Sequence, residues 1–164
     1  MARDENAREP ASPACSMREA GDEYMGYAGN DELTAFMNEL LEAERAGARV
    51  TMETANAAGD TPLGKLMREI QHDEARWGGM LSGHLKRLGA APSPKTGAFY
   101  DKAMAIADLP QRLIFLNRGQ GWVVRKLEAL LPTVRDDRIH ADLTAMLGSH
   151  KQNIERVNTQ MSAQ

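Results

Sequence analysis

The chain has 164 residues, enough for one domain with one core, and a formal net charge of −3 made of interspersed acids and bases. That balance offers no basic face to nucleic acid, no apolar run is long enough to cross a membrane, and the lone Cys15 excludes an intramolecular disulfide. Aromatic residues make up only 5% of a chain dominated by Ala, Leu, Met, Glu and Arg, a mixture that forms helices more readily than strands. The opening MARDENAREP has no apolar segment of a signal peptide, so a cytoplasmic protein is expected.

Residues 1–29 carry Pro10, Pro13 and three glycines among scattered charges and read as an extended or disordered arm, followed by a helical domain over 30–164. Cys15, Met17, Tyr24, Met25 and Tyr27 give that arm side chains with which it could pack along the domain. Asn30 or Asp31 is expected to cap a first helix that runs to Ala58 and stops at Gly59. Thr61 and Pro62 then form a strong start signal for a second helix ending at Gly89. GAAPSPKTG is a linker, AFYDKAMAIA a short helix within the crossing, and Asp108 with Pro110 restarts the chain. The third helix ends before Pro132, and Asp136 or Asp137 caps a fourth that reaches about Ser162.

Four helices of roughly 23–28 residues result, about 35–42 Å long at 1.5 Å per residue. Short turns join the first to the second and the third to the fourth, and a long crossover lies between the second and third. The expected fold is therefore all-α, an antiparallel ferritin-like four-helix bundle.

Each apolar stripe contains one polar residue that does not belong there. Helix one has Glu44 after Leu33, Met37 and Leu40 or Leu41; helix two has Glu74 between Ile70 and Trp77, with Asp73 beside it. Helix three has Gln120 on the row Leu113, Leu116, Val123, Leu127; helix four has His150 on the row Leu143, Leu147, Ile154. All four stand beside the midpoints of their helices, so in an antiparallel bundle they converge on one level. A buried carboxylate must be paired, protonated or metal-bound. Glu with His suits iron, manganese or zinc. Without a metal, the glutamates would pair with an arginine such as Arg45, Arg49 or Arg118 reaching inward, or the layer would hold a protonated Glu or His150 in its cationic form. Glycines cluster at the same level (Gly47, Gly78, Gly79, Gly119, Gly121, Gly148), where they could admit a close backbone, bulk such as Trp77, or a small bound molecule. Arg112, Arg118 and Arg125 are expected on a solvated face, and His72, His84 and His140 at the surface. Trp122 should point away from the core, toward a partner or the arm.

In LLEAERAGA, IQHDEARWGGML and LGSHKQNIE, and in helix order, the chain resembles the ferritin-like superfamily of rubrerythrins and bacterioferritins over about residues 31–162. That resemblance implies a role in metal handling or oxidative stress, and by analogy a homodimer. The superfamily's di-iron site takes a Glu from helices one and three and Glu-x-x-His from helices two and four. Glu44, Glu74 and His150 match; Trp77 replaces the second-helix His, Leu147 the fourth-helix Glu, and Gln120 (or Asn117) the third-helix carboxylate. Ferroxidase or oxygenase chemistry of the standard kind is therefore not expected. Two readings remain: one iron, manganese or zinc ion held by Glu44, Glu74 and His150 with Gln120 or water, or a metal-free layer in a non-catalytic binding or assembly module.

Overall fold

The computed structural model describes residues 25–163, which form five α-helices, one 3₁₀ turn and no strand. They are α1 (Asn30–Ala58), α2 (Pro62–Arg87), α3 (Phe99–Met104), α4 (Leu109–Leu130) and α5 (Asp137–Ser162), with the 3₁₀ turn at Leu131–Thr133. No described helix is long and apolar enough to cross a membrane. Most of the expected arm, Cys15 included, lies outside the described residues. Of its end, the Ala28 N–H donates to the Thr133 carbonyl at 2.9 Å, and Arg135 lies over the Tyr27 ring.

The ends of the helices obey local chemistry. Thr61 accepts from Gly64 N, Asp108 from Gln111 N and Asp136 from Ile139 N, each supplying an acceptor to an N–H that the helix itself leaves unpaired. Helix α1 departs from expectation: both Asn30 and Asp31 are already helical, and Gly29, in extended conformation, is the capping residue. Its acidic first turn, Asp31 and Glu32, still complements the helix dipole. Gly59 and Gly89 end the first two helices with φ of +62° and +76°, a region in which a Cβ is strained.

Helix α1 packs along α2 and α4 along α5, while α2 meets α5 and α1 meets both α3 and α4. The buried apolar residues fall into two clusters. One takes Leu33–Leu41 of α1, Trp77–Leu85 of α2, Val123–Leu130 of α4 and Ile139–Met146 of α5. The other takes Val50 and Ala55 of α1, Leu63–Ile70 of α2, Leu113 and Leu116 of α4 and Val157 of α5. On every long helix, the polar residue picked out above lies between the two clusters.

Two expected faces are corrected. On α5 the buried row runs Leu143, Met146, His150, Asn153, Val157, so Leu147 and Ile154 sit at its half-buried edge. On α4, Arg112 is buried, its Nε and Nη2 both donating to the Ile106 carbonyl; only Arg118 and Arg125 face solvent.

Candidate functional site

Glu44, Glu74, Gln120 and His150 are each 2–3% exposed and meet at one level. Gln120 Nε2 donates to Glu74 Oε1 at 3.1 Å, and its Oε1 lies 2.9 Å from His150 Nδ1. A carbonyl oxygen can only accept, so Nδ1 carries a proton. The other ring nitrogen, Nε2, comes within 3.2 Å of Glu44 Oε1. One residue from each long helix thus joins a chain Glu44–His150–Gln120–Glu74.

That chain leaves buried atoms unsatisfied. Among the described residues, Glu44 Oε2, Glu74 Oε2 and His150 Nε2 have no hydrogen bond of good geometry, a costly state for polar atoms out of water. Burial, the Glu44 carboxylate and Asp73 together push the Glu74 carboxyl well above its ordinary range. Asp73 is itself half-buried and accepts from Asn153 Nδ2 at 3.1 Å and Ser149 Oγ at 3.3 Å, fixing α2 to α5 beside the layer. Thr51 and Thr54, also buried, return their hydroxyls to the Gly47 and Val50 carbonyls of their own helix.

The arginines expected to neutralise the glutamates do not do so. Arg45 donates to the Ser93 carbonyl of the linker, Arg49 lies 3.8 Å over the Tyr100 ring, and Arg118 lines a shallow surface cavity. Asn117, the alternative to Gln120, faces α5 and donates to the Ile154 carbonyl and Asn158 Oδ1. His72 and His140 are exposed as expected, but His84 is buried, with Nε2 at 2.7 Å from Asp142 and Nδ1 facing Arg87. Arg87 continues this contact to Asp136, whose carboxyl it holds down at about 2 together with the Ile139 N–H. A signal for His84 was present: it follows Trp77 by seven residues and Leu81 by three, on the buried stripe.

The glycines at this level divide by function. A Cβ at Gly47 would overlap Glu74 Oε2 and stand 2.7 Å from Cδ, so the missing side chain is what admits the carboxylate. At Gly119 it would stand 2.6 Å from two carbons of the Phe99 ring, which enters that notch and stacks on Phe115 at 5.0 Å. Gly79 and Gly148 face open space, and Gly78 only ordinary contacts.

A cavity of about 360 Å³ opens onto the layer between α1, α4 and the start of α3. Its inner end holds Glu44, Glu74, Gln120 and His150, its walls Leu116, Val123 and Phe99, and its rim Glu39, Glu42 and Trp122. Trp122 is 37% exposed, so it does face outward, but the ring also borders this opening, which sequence periodicity did not reveal. The crossing segment is held here by Ser93 Oγ, which donates to Glu42 Oε1, and by Gly97 N facing the Glu42 carbonyl. A second cavity, about 410 Å³, follows the α1–α2 groove over Ala48, Ala75 and Gly78 and also reaches both glutamates.

The fit of a metal can be judged from these donors. Two carboxylates and an imidazole are the right kind of ligand, and Glu44 with His150 is close enough to share an ion. Glu74, however, is turned to Gln120, and among the described residues no three His, Cys, Asp or Glu side chains are grouped to hold a metal ion. Protein-held zinc takes three or four such ligands. The dinuclear arrangement fits still less, because Trp77 is packed into the apolar cluster and Leu147 lies against it.

No curated protein and no solved structure matches the chain. A family's sequence model does match residues 31–159, from the first turn of α1 to the last of α5 and across all four residues of the layer. The chain belongs to that family, described as a domain of unknown function, DUF6306.

Proposed function

We propose that the protein is an antiparallel four-helix bundle of ferritin-like connectivity whose mid-height layer binds a small molecule without a resident metal. The division of the core supports this topology. The N-terminal half of α1 shares its cluster with the C-terminal halves of α2 and α4 and the N-terminal half of α5. Neighbours joined by short turns therefore run oppositely, and the segment from 88 to 108 returns the chain along the length of the bundle.

One observation carries the binding function: Glu44 Oε2 and Glu74 Oε2, both buried and without a hydrogen-bond partner among the described residues, belong to side chains that line the cavity. Its volume lies at the small end of ligand pockets, about 300–1,000 Å³. A fragment screen by NMR on the full chain tests the reading. Hits should shift the Gln120 side-chain amide and the backbone amides of Gly47 and Gly119. A diverse screen that leaves these signals unmoved at millimolar concentration would overturn it.

A single divalent ion is the second reading, favoured by the 3.2 Å separation of Glu44 Oε1 and His150 Nε2. It requires Glu74 to leave Gln120 and supply a third donor, and it would return the protein to metal handling. Metal analysis of protein purified without chelators or an affinity metal separates the two. Trace occupancy that anaerobic Fe(II) does not raise supports the metal-free layer; one equivalent per chain overturns it.

A further inference from the structure

The chemistry of the cavity narrows its occupant. Four glutamates line it (Glu39, Glu42, Glu44 and Glu74) and, among the described residues, no lysine or arginine does. The rim charges are partly matched: Glu39 pairs with Lys126 at 2.7 Å, and Glu42 accepts from Ser93. Among the described residues the two inner carboxylates have no lysine or arginine partner. Glu44 meets only the imidazole of His150, Glu74 only the amide of Gln120, and the nearest basic side chains on α1, Arg45 and Arg49, are turned to the linker and to Tyr100. Two carboxylates brought together in an apolar interior repel, and a positive charge between them relieves that repulsion directly.

A count of donors and acceptors points the same way. Among the described residues Glu44 Oε2 and Glu74 Oε2 are buried without a hydrogen-bond partner, and His150 Nε2 meets only Glu44 Oε1, at 3.2 Å. Nδ1 of His150 is engaged by the Gln120 carbonyl oxygen. A primary ammonium brings three N–H donors on one small centre, whereas a hydroxyl brings one and a carboxylate none. The remaining surface suits the rest of such a molecule. Leu116, Val123 and Phe99 form an apolar wall, and the Trp122 ring at the rim already carries the Lys126 ammonium 5.3 Å from its centroid.

We infer that the mid-height cavity is a receptor for a small primary amine with an apolar tail, its ammonium held between Glu44 and Glu74 and its tail along Leu116, Val123 and Phe99. This rests on the reading of the layer as a metal-free binding site. Isothermal titration of the full chain with 2-phenylethylamine, 2-phenylethanol and phenylacetate tests it, since the three share a tail and differ only in the polar group. The amine should bind about ten- to a hundredfold more tightly than the alcohol, the range expected for charge-assisted hydrogen bonds, and phenylacetate most weakly. Glu44→Gln and Glu74→Gln should each remove most of the amine's advantage over the alcohol, and an advantage kept in both variants overturns the inference. Equal binding of amine and alcohol, or a preference for phenylacetate, overturns the inference while the cavity still stands as a binding site. No binding by any of the three, with a blank fragment screen, overturns both.

Discussion

Replacing Gly47 by Ala, beside the same replacement at Gly79, isolates the contact on which the layer depends. Both glycines lie inside helices, so each substitution gains about 1 kcal/mol of helix propensity. At Gly79 nothing among the described residues beyond its own turn of helix lies within 4 Å of the added methyl group, and that gain should appear nearly whole. At Gly47 the methyl group would overlap Glu74 Oε2 and stand 2.9 Å from Oε1, the atom that accepts from Gln120. The carboxylate must swing away and the 3.1 Å hydrogen bond breaks, leaving buried groups unsatisfied at about 1–3 kcal/mol. The net effect at Gly47 is thus between no change and a loss of about 2 kcal/mol, and the two variants should differ by about 1–3 kcal/mol. For a domain of this size, that is a difference in Tm of roughly 3–9 °C. Thermal unfolding by circular dichroism reads it directly, and the Gln120 side-chain amide should shift in the Gly47 variant alone. Should Gly47→Ala stabilise the protein as much as Gly79→Ala, the Glu74 carboxylate does not occupy that notch and the layer has been misread.

Glu74→Gln should change how stability depends on pH. Because the folded-state pKa is raised above the ordinary 4.5, the folded chain holds a proton that the unfolded chain releases. Stability from this group is fully present below the unfolded value and is lost as pH rises through the folded one, at up to about 1.4 kcal/mol per pH unit. Urea unfolding across that window should show this decline in the wild type and not in Glu74→Gln; parallel curves would refute the assignment. Gly119→Ala should drive Phe99 out of its notch and off Phe115, at a cost of about 1–3 kcal/mol. A rise in Tm with unchanged near-ultraviolet circular dichroism would show that Phe99 does not sit there.

Much of the site was legible because the relevant rules are local. Thr61, Asp108 and Asp136 cap helices through bonds to residues three positions on, so their roles follow from adjacent sequence. Glu44, Glu74, Gln120 and His150 were found because each interrupts an apolar stripe near the middle of its helix. What was missed involves rotation and reach. Asn153 continues the row of Met146 and His150 at 3/4 spacing, but the competing row through Leu147 and Ile154 is more apolar, and only packing against α2 decides between them. Arg112 reads as a surface arginine until the crossing brings the Ile106 carbonyl to its guanidinium. Nothing near Gly119 in sequence announces that Phe99, from the crossing segment, will fill its missing side chain.

The sequence by itself determined the helices, their ends and the level at which four polar residues gather, because periodicity and capping act over a few neighbouring residues. Only the tertiary structure decided that Gln120 bridges His150 and Glu74, that the nearby arginines turn away, and that α3 and α4 leave a cavity against the layer. Those outcomes depend on helix rotation and on the path of the crossover, which are set by how distant surfaces pack and not by the residues on either side.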